Sequence, residues 1–88
     1  MSDLTSMTNI GKEMARKLKS VGIDTPEKLI ETGSKEAFFK LKETYPNVCL
    51  VHLYVLEGAI NNTEYNALSE SKKKELKKFS DSLKEKVQ

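Results

Sequence analysis

The chain has 88 residues, of which 38% are hydrophobic and 32% charged, and its formal net charge is +2. This length fits one domain, residues 1–88, and the balance of apolar and charged residues is that of a folded chain rather than a disordered one. The single cysteine excludes an internal disulfide, and the small net charge offers only modest electrostatic affinity for nucleic acid.

The amino terminus and the apolar segments predict the compartment. The amino terminus has neither the basic flank nor the apolar run of a secretory signal. The longest apolar stretch, residues 48–60, is shorter than the roughly 20 residues that span a bilayer. We therefore expect a cytoplasmic protein with no membrane partner.

Residues 12–22 have the pattern of an amphipathic helix. Charged residues alternate with apolar residues that recur at helical spacing, namely Met14, Ala15, Leu18 and Val21. Gly22 is expected to end the helix, because glycine readily takes the left-handed conformation that follows a helix C-terminus.

The next helix is predicted by three start signals in a row. Thr25 offers a hydroxyl N-cap, Pro26 suits the first helical position, and an acid follows in the first turn. Leu29 and Ile30 are expected to face the core, and Gly33 to close this short helix.

Ser34 is predicted to cap a third helix, whose apolar stripe consists of Phe38, Leu41 and Tyr45 and which Pro46 ends. Asn47 is predicted to cap a fourth helix. Its core, VCLVHLYVL, also fits a buried strand, but the apolar run continues to Ile60, and this length favours a helix. A helix that is apolar on nearly every side is surrounded by other helices, so residues 48–60 are expected to be central.

Ser69 is predicted to cap the last helix, which has a narrow apolar stripe made of Leu76, Phe79, Leu83 and Val87. The predicted fold is therefore all-α: a compact five-helix single domain. The expected core consists of Met14, Leu18, Leu29, Phe38, Leu41, Leu53, Leu56, Phe79 and Leu83.

Few residues in the chain suggest catalysis or metal binding. Cys49 and His52 share a helix face, but zinc needs more ligands than this pair and the chain has no other histidine or cysteine. We expect both to belong to the core. Glu27 and Glu31 lie on a solvated face, and no glycine-rich phosphate loop of the Walker or dinucleotide type is present. The sequence predicts no metal site, no cofactor and no enzymatic activity.

Basic residues are most concentrated near the C-terminus, where residues 69–88 carry seven basic and four acidic groups. Lys73, Lys74 and Lys77 form a candidate contact face for nucleic acid or an acidic partner. Interleaved acids, such as Glu70 four residues before Lys74, favour the alternative of a solvated amphipathic face.

The turn at residues 9–11 is the remaining candidate site. The backbone N–H groups of Gly11, Lys12 and Glu13 open a helix, and a helix N-terminus attracts anions. Asn9 and Gly11 are expected to take unusual backbone angles, and Lys12 and Arg16, one helical turn apart, to flank a bound phosphate. The alternative is a tight turn that only buries Ile10 against Leu18. Residue types alone leave both interpretations open.

The segment NIGKEMARKLKSVGIDTPEKL resembles the hairpin and following helix of helix–hairpin–helix DNA-binding modules, with the small residue Ala15 facing its neighbour. Only ten residues precede Gly11, which leaves room for one or two turns of a first helix. Further landmarks occur in the order found in the C-terminal domain of the TfoX/Sxy competence-regulator family: Asn9-Ile10-Gly11, Gly22-Ile23-Asp24-Thr25, Gly33, VHLYVLEGAI, and Tyr65-Asn66-Ala67-Leu68 followed by Lys74-Glu75-Leu76.

This resemblance covers nearly the whole chain and implies a small bacterial regulatory module with a helix–hairpin–helix-like N-terminal half. Full-length members of the family regulate competence for DNA uptake and carry a separate N-terminal domain. Two hypotheses for function follow. The module binds double-stranded DNA weakly and without sequence specificity through residues 9–16, or it serves protein–protein interaction, with a regulatory protein or as a homodimer, without touching nucleic acid.

Overall fold

The computed structural model describes residues 3–87, and the side chains of residues 3–83. Within this range the chain forms five α-helices and no strand, as the sequence predicts. They are α1 (Lys12–Ser20), α2 (Pro26–Thr32), α3 (Ser34–Thr44), α4 (Leu50–Ile60) and α5 (Glu70–Val87). Two short 3-10 helices, Leu4–Ser6 and Tyr65–Ala67, precede α1 and α5. The first helix of the hairpin is thus a single turn.

Helix α4 is the centre of the fold. It packs against α3, α5 and the 3-10 helix Tyr65–Ala67. Leu53 and Leu56 of α4 are fully buried, which confirms the central position predicted for this segment. Other elements do not cover α4 on every side, however, because Val51 is 48% exposed to solvent. No helix within residues 3–87 has the length and apolarity to cross a membrane.

The predicted core is largely confirmed. Its buried members are Met14, Leu18, Leu29, Phe38, Leu41, Leu53, Leu56 and Leu83. Phe79 is only half-buried and packs at the edge of this core. The side chain of Val87 lies outside the described residues. Ile30 was expected to face inward and is instead 55% exposed. Successive residues of a helix lie about 100° apart, and the short α2 buries Leu29, so its neighbour points away.

The structure confirms that Gly33 ends α2 and that Ser69 caps α5, where its hydroxyl accepts the N–H of Lys72 at 3.2 Å.

The ends on either side of the α1–α2 connection are also confirmed. The hydroxyl of Thr25 accepts the N–H of Lys28 at 3.1 Å, with Pro26 at the first helical position. At the end of α1, Gly22 has φ +89°, and the N–H of Ile23 donates to the carbonyl of Leu18 at 2.9 Å. Such a left-handed residue satisfies carbonyls at a helix C-terminus, which is why glycine stands here.

Two predicted caps are wrong. Gly33, not Ser34, is the N-cap of α3, and Ser34 is the first helical residue. Helix α4 begins at Leu50 with Cys49 as its N-cap, so Asn47 lies outside the helix. In both cases the cap residue lies within two residues of the expected position, which is the usual uncertainty of a helix end.

The hydroxyl of Ser34 instead joins a polar cluster around Glu57, a residue on the otherwise apolar α4. It donates to Glu57 Oε1 at 2.5 Å, and Asn61 Nδ2 donates to Glu57 Oε2 at 2.7 Å. Lys72 Nζ lies 3.8 Å from the same Oε2. This cluster ties the start of α3 and the first turn of α5 to the end of α4, and it explains how a largely buried carboxylate is tolerated.

Cys49 and His52 form a helix cap rather than part of the core, so the expectation that both are buried is wrong. Cys49 is exposed, and His52 Nδ1 accepts the backbone N–H of Cys49 at 3.0 Å. A side chain three residues into a helix that bonds back to the N-cap N–H is a capping box. Cys49 and His52 lie three residues apart, which suggested a shared helix face; this is also the spacing of an N-cap residue and its capping-box partner. Within the described residues, no group of three metal-ligating side chains comes together.

Stability should depend on pH through His52. Burial lowers its pKa below the ordinary value, the hydrogen bond with the Cys49 backbone opposes this in part, and the nearby Lys17 and Lys42 lower the pKa further. The unfolded chain then takes up the proton more readily than the folded chain, so stability falls as pH falls below about 6.5. We expect the unfolding midpoint to drop between about pH 7.5 and about pH 5.5.

Replacing His52 by Gln should flatten this dependence, because the Gln oxygen can still accept the Cys49 N–H but does not titrate. Urea unfolding of both proteins at the two pH values measures the difference. Equal pH dependence in the two proteins would exclude His52 as its source. Exposed carboxylates titrate below this pH range, so they do not affect the comparison between the two proteins.

Candidate nucleic-acid interface

The turn before α1 has one residue in the left-handed conformation. Asn9 has φ +73°, and the N–H of Ile10 donates to the carbonyl of Met7 at 3.2 Å. Asn tolerates this conformation better than most residues, as predicted. Gly11 was also expected to take unusual angles, but its φ of −92° and ψ of −178° are ordinary extended backbone. A single left-handed residue at Asn9 is enough to reverse the chain.

The side chain of Asn9 points into the molecule. Its Nδ2 donates to the carbonyl of Thr63 at 2.9 Å, and its Oδ1 accepts the N–H of Tyr65 at 3.3 Å. These bonds hold the turn against the segment that follows α4. The amide group of Asn9 is therefore committed to the fold, and only the backbone of this turn is open to a phosphate. The Asn9 side chain therefore positions the turn, while a contact of residues 9–16 with nucleic acid stays a prediction.

Gly58 of α4 makes room for this contact. A Cβ atom at this position would lie 2.3 Å from the carbonyl oxygen of Thr63 and 2.5 Å from Asn9 Nδ2. Real Cβ atoms essentially never approach other atoms so closely. The hairpin thus rests in a notch (Asn9, Gly58, Thr63 and Tyr65) that only glycine allows on the α4 side. Thr8 adds a second tie, because its hydroxyl donates to Asn62 Oδ1 at 2.7 Å.

The N-terminus of α1 is uncapped. Gly11 is its N-cap and has no side chain, and no described side chain replaces it. The first N–H groups of a helix have no intrahelical partner. Here they belong to Gly11, Lys12 and Glu13 and lie at the positive end of the helix dipole. The predicted backbone donors are therefore present in the arrangement that binds anions.

Three basic side chains follow this end of the helix along one groove. Lys12, Arg16 and Lys19 line it together with Asp3 and Thr5. All three are exposed, and their spacings of four and three residues keep them on one helix face. The structure thus brings the predicted Lys12 and Arg16 together and adds Lys19. Lys19 lies seven residues after Lys12, which is two helical turns, and this spacing is the sequence signal that would have identified Lys19 as part of the site.

Two carboxylates moderate the charge of this groove. Glu13 accepts a hydrogen bond from Arg16, which holds the pKa of Glu13 below and that of Arg16 above its ordinary value. Asp3 Oδ1 lies 3.9 Å from Lys19 Nζ. Pairs between exposed side chains contribute little free energy. A phosphate can therefore displace Glu13 from Arg16 at small cost.

The secondary basic face on α5 combines one ion-paired lysine with two that have no acidic partner among the described side chains. Lys74 and Lys77 are exposed and Lys73 is half-buried. Lys77 Nζ lies 3.4 Å from Asp81 Oδ2, whereas the predicted pair of Glu70 with Lys74 does not form. This helix therefore has the mixed charge of a solvated face, with its own acids among its lysines.

A family model described as the TfoX C-terminal domain matches residues 1–80. The chain belongs to the TfoX C-terminal domain family. Three landmarks of the resemblance in the sequence meet in the notch, since Asn9 precedes α1, Gly58 lies in VHLYVLEGAI and Tyr65 begins the second 3-10 helix.

Two crystal structures of proteins from Listeria monocytogenes are similar to this TfoX C-terminal domain. One, an uncharacterised protein in a triclinic crystal form, has a TM-score of 0.92 and 44% identity over 94% of each chain. The other, a protein of unknown function in a tetragonal form, has a TM-score of 0.89 and 46% identity over 92% of this chain and 99% of that one. No curated protein matches the chain.

Proposed function

We propose that this TfoX C-terminal domain is a non-enzymatic, cytoplasmic regulatory module that binds double-stranded DNA through its phosphates. The observation that carries the proposal is the uncapped N-terminus of α1 beside the exposed Lys12, Arg16 and Lys19. Membership of the family supports a regulatory role. The resemblance to competence regulators extends the proposal to control of DNA uptake.

In this mechanism a phosphate oxygen accepts the N–H groups of Gly11 to Glu13, as at other helix N-termini. Lys12 and Arg16 neutralise the same phosphate and its neighbour on the strand. Asn9 holds the turn in place from behind, through its bonds to Thr63 and Tyr65. Contacts to phosphates carry no base information, so the binding is independent of sequence. With few charges involved, it is weak and sensitive to salt.

Replacing Lys12 and Arg16 together by Ala should weaken binding to every duplex alike. Each neutralised phosphate contributes about −0.9 to the slope of log affinity against log salt, so the slope should become shallower by about two. Helicity should persist, because Ala is a good helix former. Fluorescence anisotropy with two duplexes of unrelated sequence, each at several salt concentrations, measures both quantities.

The matched control removes the rival basic residues Lys73 and Lys74 in the same way. It should leave affinity and slope nearly unchanged. If the Lys73/Lys74 variant abolishes binding and the Lys12/Arg16 variant does not, the hairpin is only a turn and the proposed interface is refuted. Strong preference for one duplex would also contradict a phosphate-only contact.

Protein–protein interaction is the second candidate function. It is favoured by the large apolar side chains that remain exposed on separate helices, namely Ile30, Phe39 and Val51, and by Tyr65 beside α4. Apolar side chains mark a contact surface when polar residues rim them, whereas single exposed ones are common on any protein. Ile30 has the exposed acids Glu27 and Glu31 near it on α2.

A further inference from the structure

A groove runs between the start of α3 and helix α5. Its lining includes Phe79 and the three lysines Lys35, Lys74 and Lys78. The half-buried ring of Phe79 forms an apolar floor, and Lys35 Nζ lies 5.9 Å from its centroid. The groove therefore combines an apolar surface with a basic rim, and we call it the α3–α5 groove.

The described part of the rim has little free negative charge. Glu75 is the one acid among the described lining residues, and its carboxylate is already bound by Lys35 at 2.7 Å and Lys72 at 3.3 Å. No carboxylate among the described side chains lies within ion-pair distance of Lys74 or Lys78. Two exposed ammonium groups thus remain beside the Phe79 ring for a partner of opposite charge.

Helix α2 presents the complementary chemistry. Ile30 is 55% exposed. The exposed acid Glu27 lies three residues before it, and the exposed acid Glu31 is the next residue after it. On a helix these three positions share one face. The one described cation near them is Lys28, whose Nζ lies 3.9 Å from Glu31 Oε1. We call these three residues the α2 knob: one apolar side chain with one carboxylate a helical turn before it and another at the next position.

We propose that the α2 knob of one copy of this chain docks in the α3–α5 groove of a second copy. Ile30 covers the Phe79 ring, and Glu27 and Glu31 face Lys74 and Lys78. Helix α2 packs on α3 and leads directly into it through Gly33, and α3 packs on α5, so knob and groove lie on consecutive elements of the same molecule. In a dimer with a two-fold axis, each copy would give its knob to the other copy's groove, as closed homodimers do.

Charge reversal tests this pairing without altering the core. Glu27→Lys with Glu31→Lys makes the knob basic, and Lys74→Glu with Lys78→Glu makes the groove acidic. We expect each double variant alone to be monomeric, because like charges then face each other. A mixture of the two should associate again, since every basic knob meets an acidic groove and every acidic knob a basic groove. Sedimentation velocity over a concentration series, without DNA, measures all three samples beside the unchanged chain.

The matched control reverses two exposed acids elsewhere, Glu43→Lys with Glu64→Lys, and should associate like the unchanged chain. Circular dichroism checks that every variant is folded. The proposal is overturned if the unchanged chain is monomeric at its highest soluble concentration, or if the mixture stays monomeric while the unchanged chain associates. It is equally overturned if a monomeric chain binds a designed acidic amphipathic helix in this groove, because the occupant is then another protein. None of these outcomes affects the hairpin, whose DNA contact lies on α1.

Discussion

Replacing Leu53 by Ala should lower the free energy of unfolding by about 2–5 kcal/mol. Leu53 is fully buried on α4, which packs against both α3 and α5. Truncation removes apolar contacts and leaves a cavity that helices on two sides cannot both close. For a domain whose whole stability is about 5–15 kcal/mol, this is a large fraction.

Urea unfolding followed by circular dichroism measures the loss. The matched control is Val51→Ala, two residues away on the same helix, where the side chain is 48% exposed. Its effect should stay within about 0.5 kcal/mol, as is usual for surface positions. Equal losses at the two positions would contradict the central place of α4.

Gly58→Ala should destabilise the fold by about 2 kcal/mol or more, because overpacking costs about 1–3 kcal/mol and an unsatisfied polar group a similar amount. In an exposed helix interior the same change normally stabilises by up to about 1 kcal/mol. Here the new Cβ would lie 2.3 Å from the Thr63 carbonyl and 2.5 Å from Asn9 Nδ2. The backbone of Thr63 must shift, and the bond from Asn9 is lost with it.

The same unfolding experiment tests this prediction with two further variants. Gly11→Ala is the matched control, since a Cβ at Gly11 meets nothing within 4 Å and its cost should not exceed about 1 kcal/mol. Asn9→Gly keeps the left-handed turn but removes the side chain. Combined with Gly58→Ala it should lose less than the sum of the two, because both break one contact. Strict additivity would show that the notch does not couple the hairpin to α4.

Much of the fold is predictable because its signals are local. Thr25 and Pro26 mark a helix start through chemistry contained in a few residues, and Gly22 marks an end in the same way. Helix α4 is recognisable by the length of its apolar run. The exact start of α4 is not, because Cys49 and His52 together cap it where the sequence shows an equally suitable Asn47.

Contacts between distant segments explain what the sequence could not show. Whether Ile30 or Leu29 reaches the core depends on how the short α2 is rotated against α3. The commitment of Asn9 to Thr63 and Tyr65 spans more than 50 residues and has no local pattern. Likewise, nothing near Glu57 in the sequence indicates that Ser34 and Lys72 will meet it.

In the candidate interface, too, the features set by local sequence are predictable and those set by contacts between distant segments are not. Lys12 and Arg16 share a face because they lie on one helix, so helical spacing alone predicts their proximity. The backbone donors at Gly11 follow from the position of the helix start. That the Asn9 side chain faces inward and positions the turn depends on the Gly58 notch and needs the tertiary structure.

Amide chemical-shift mapping with a short DNA duplex tests the phosphate contact most directly. On titration at low salt, the largest shifts should occur at the N–H groups of Gly11, Lys12 and Glu13, because these would donate to the phosphate. The shifts should reverse when salt is added. Shifts confined to the α5 lysines Lys73, Lys74 and Lys77, or no shifts at any amide, would contradict a DNA-binding hairpin.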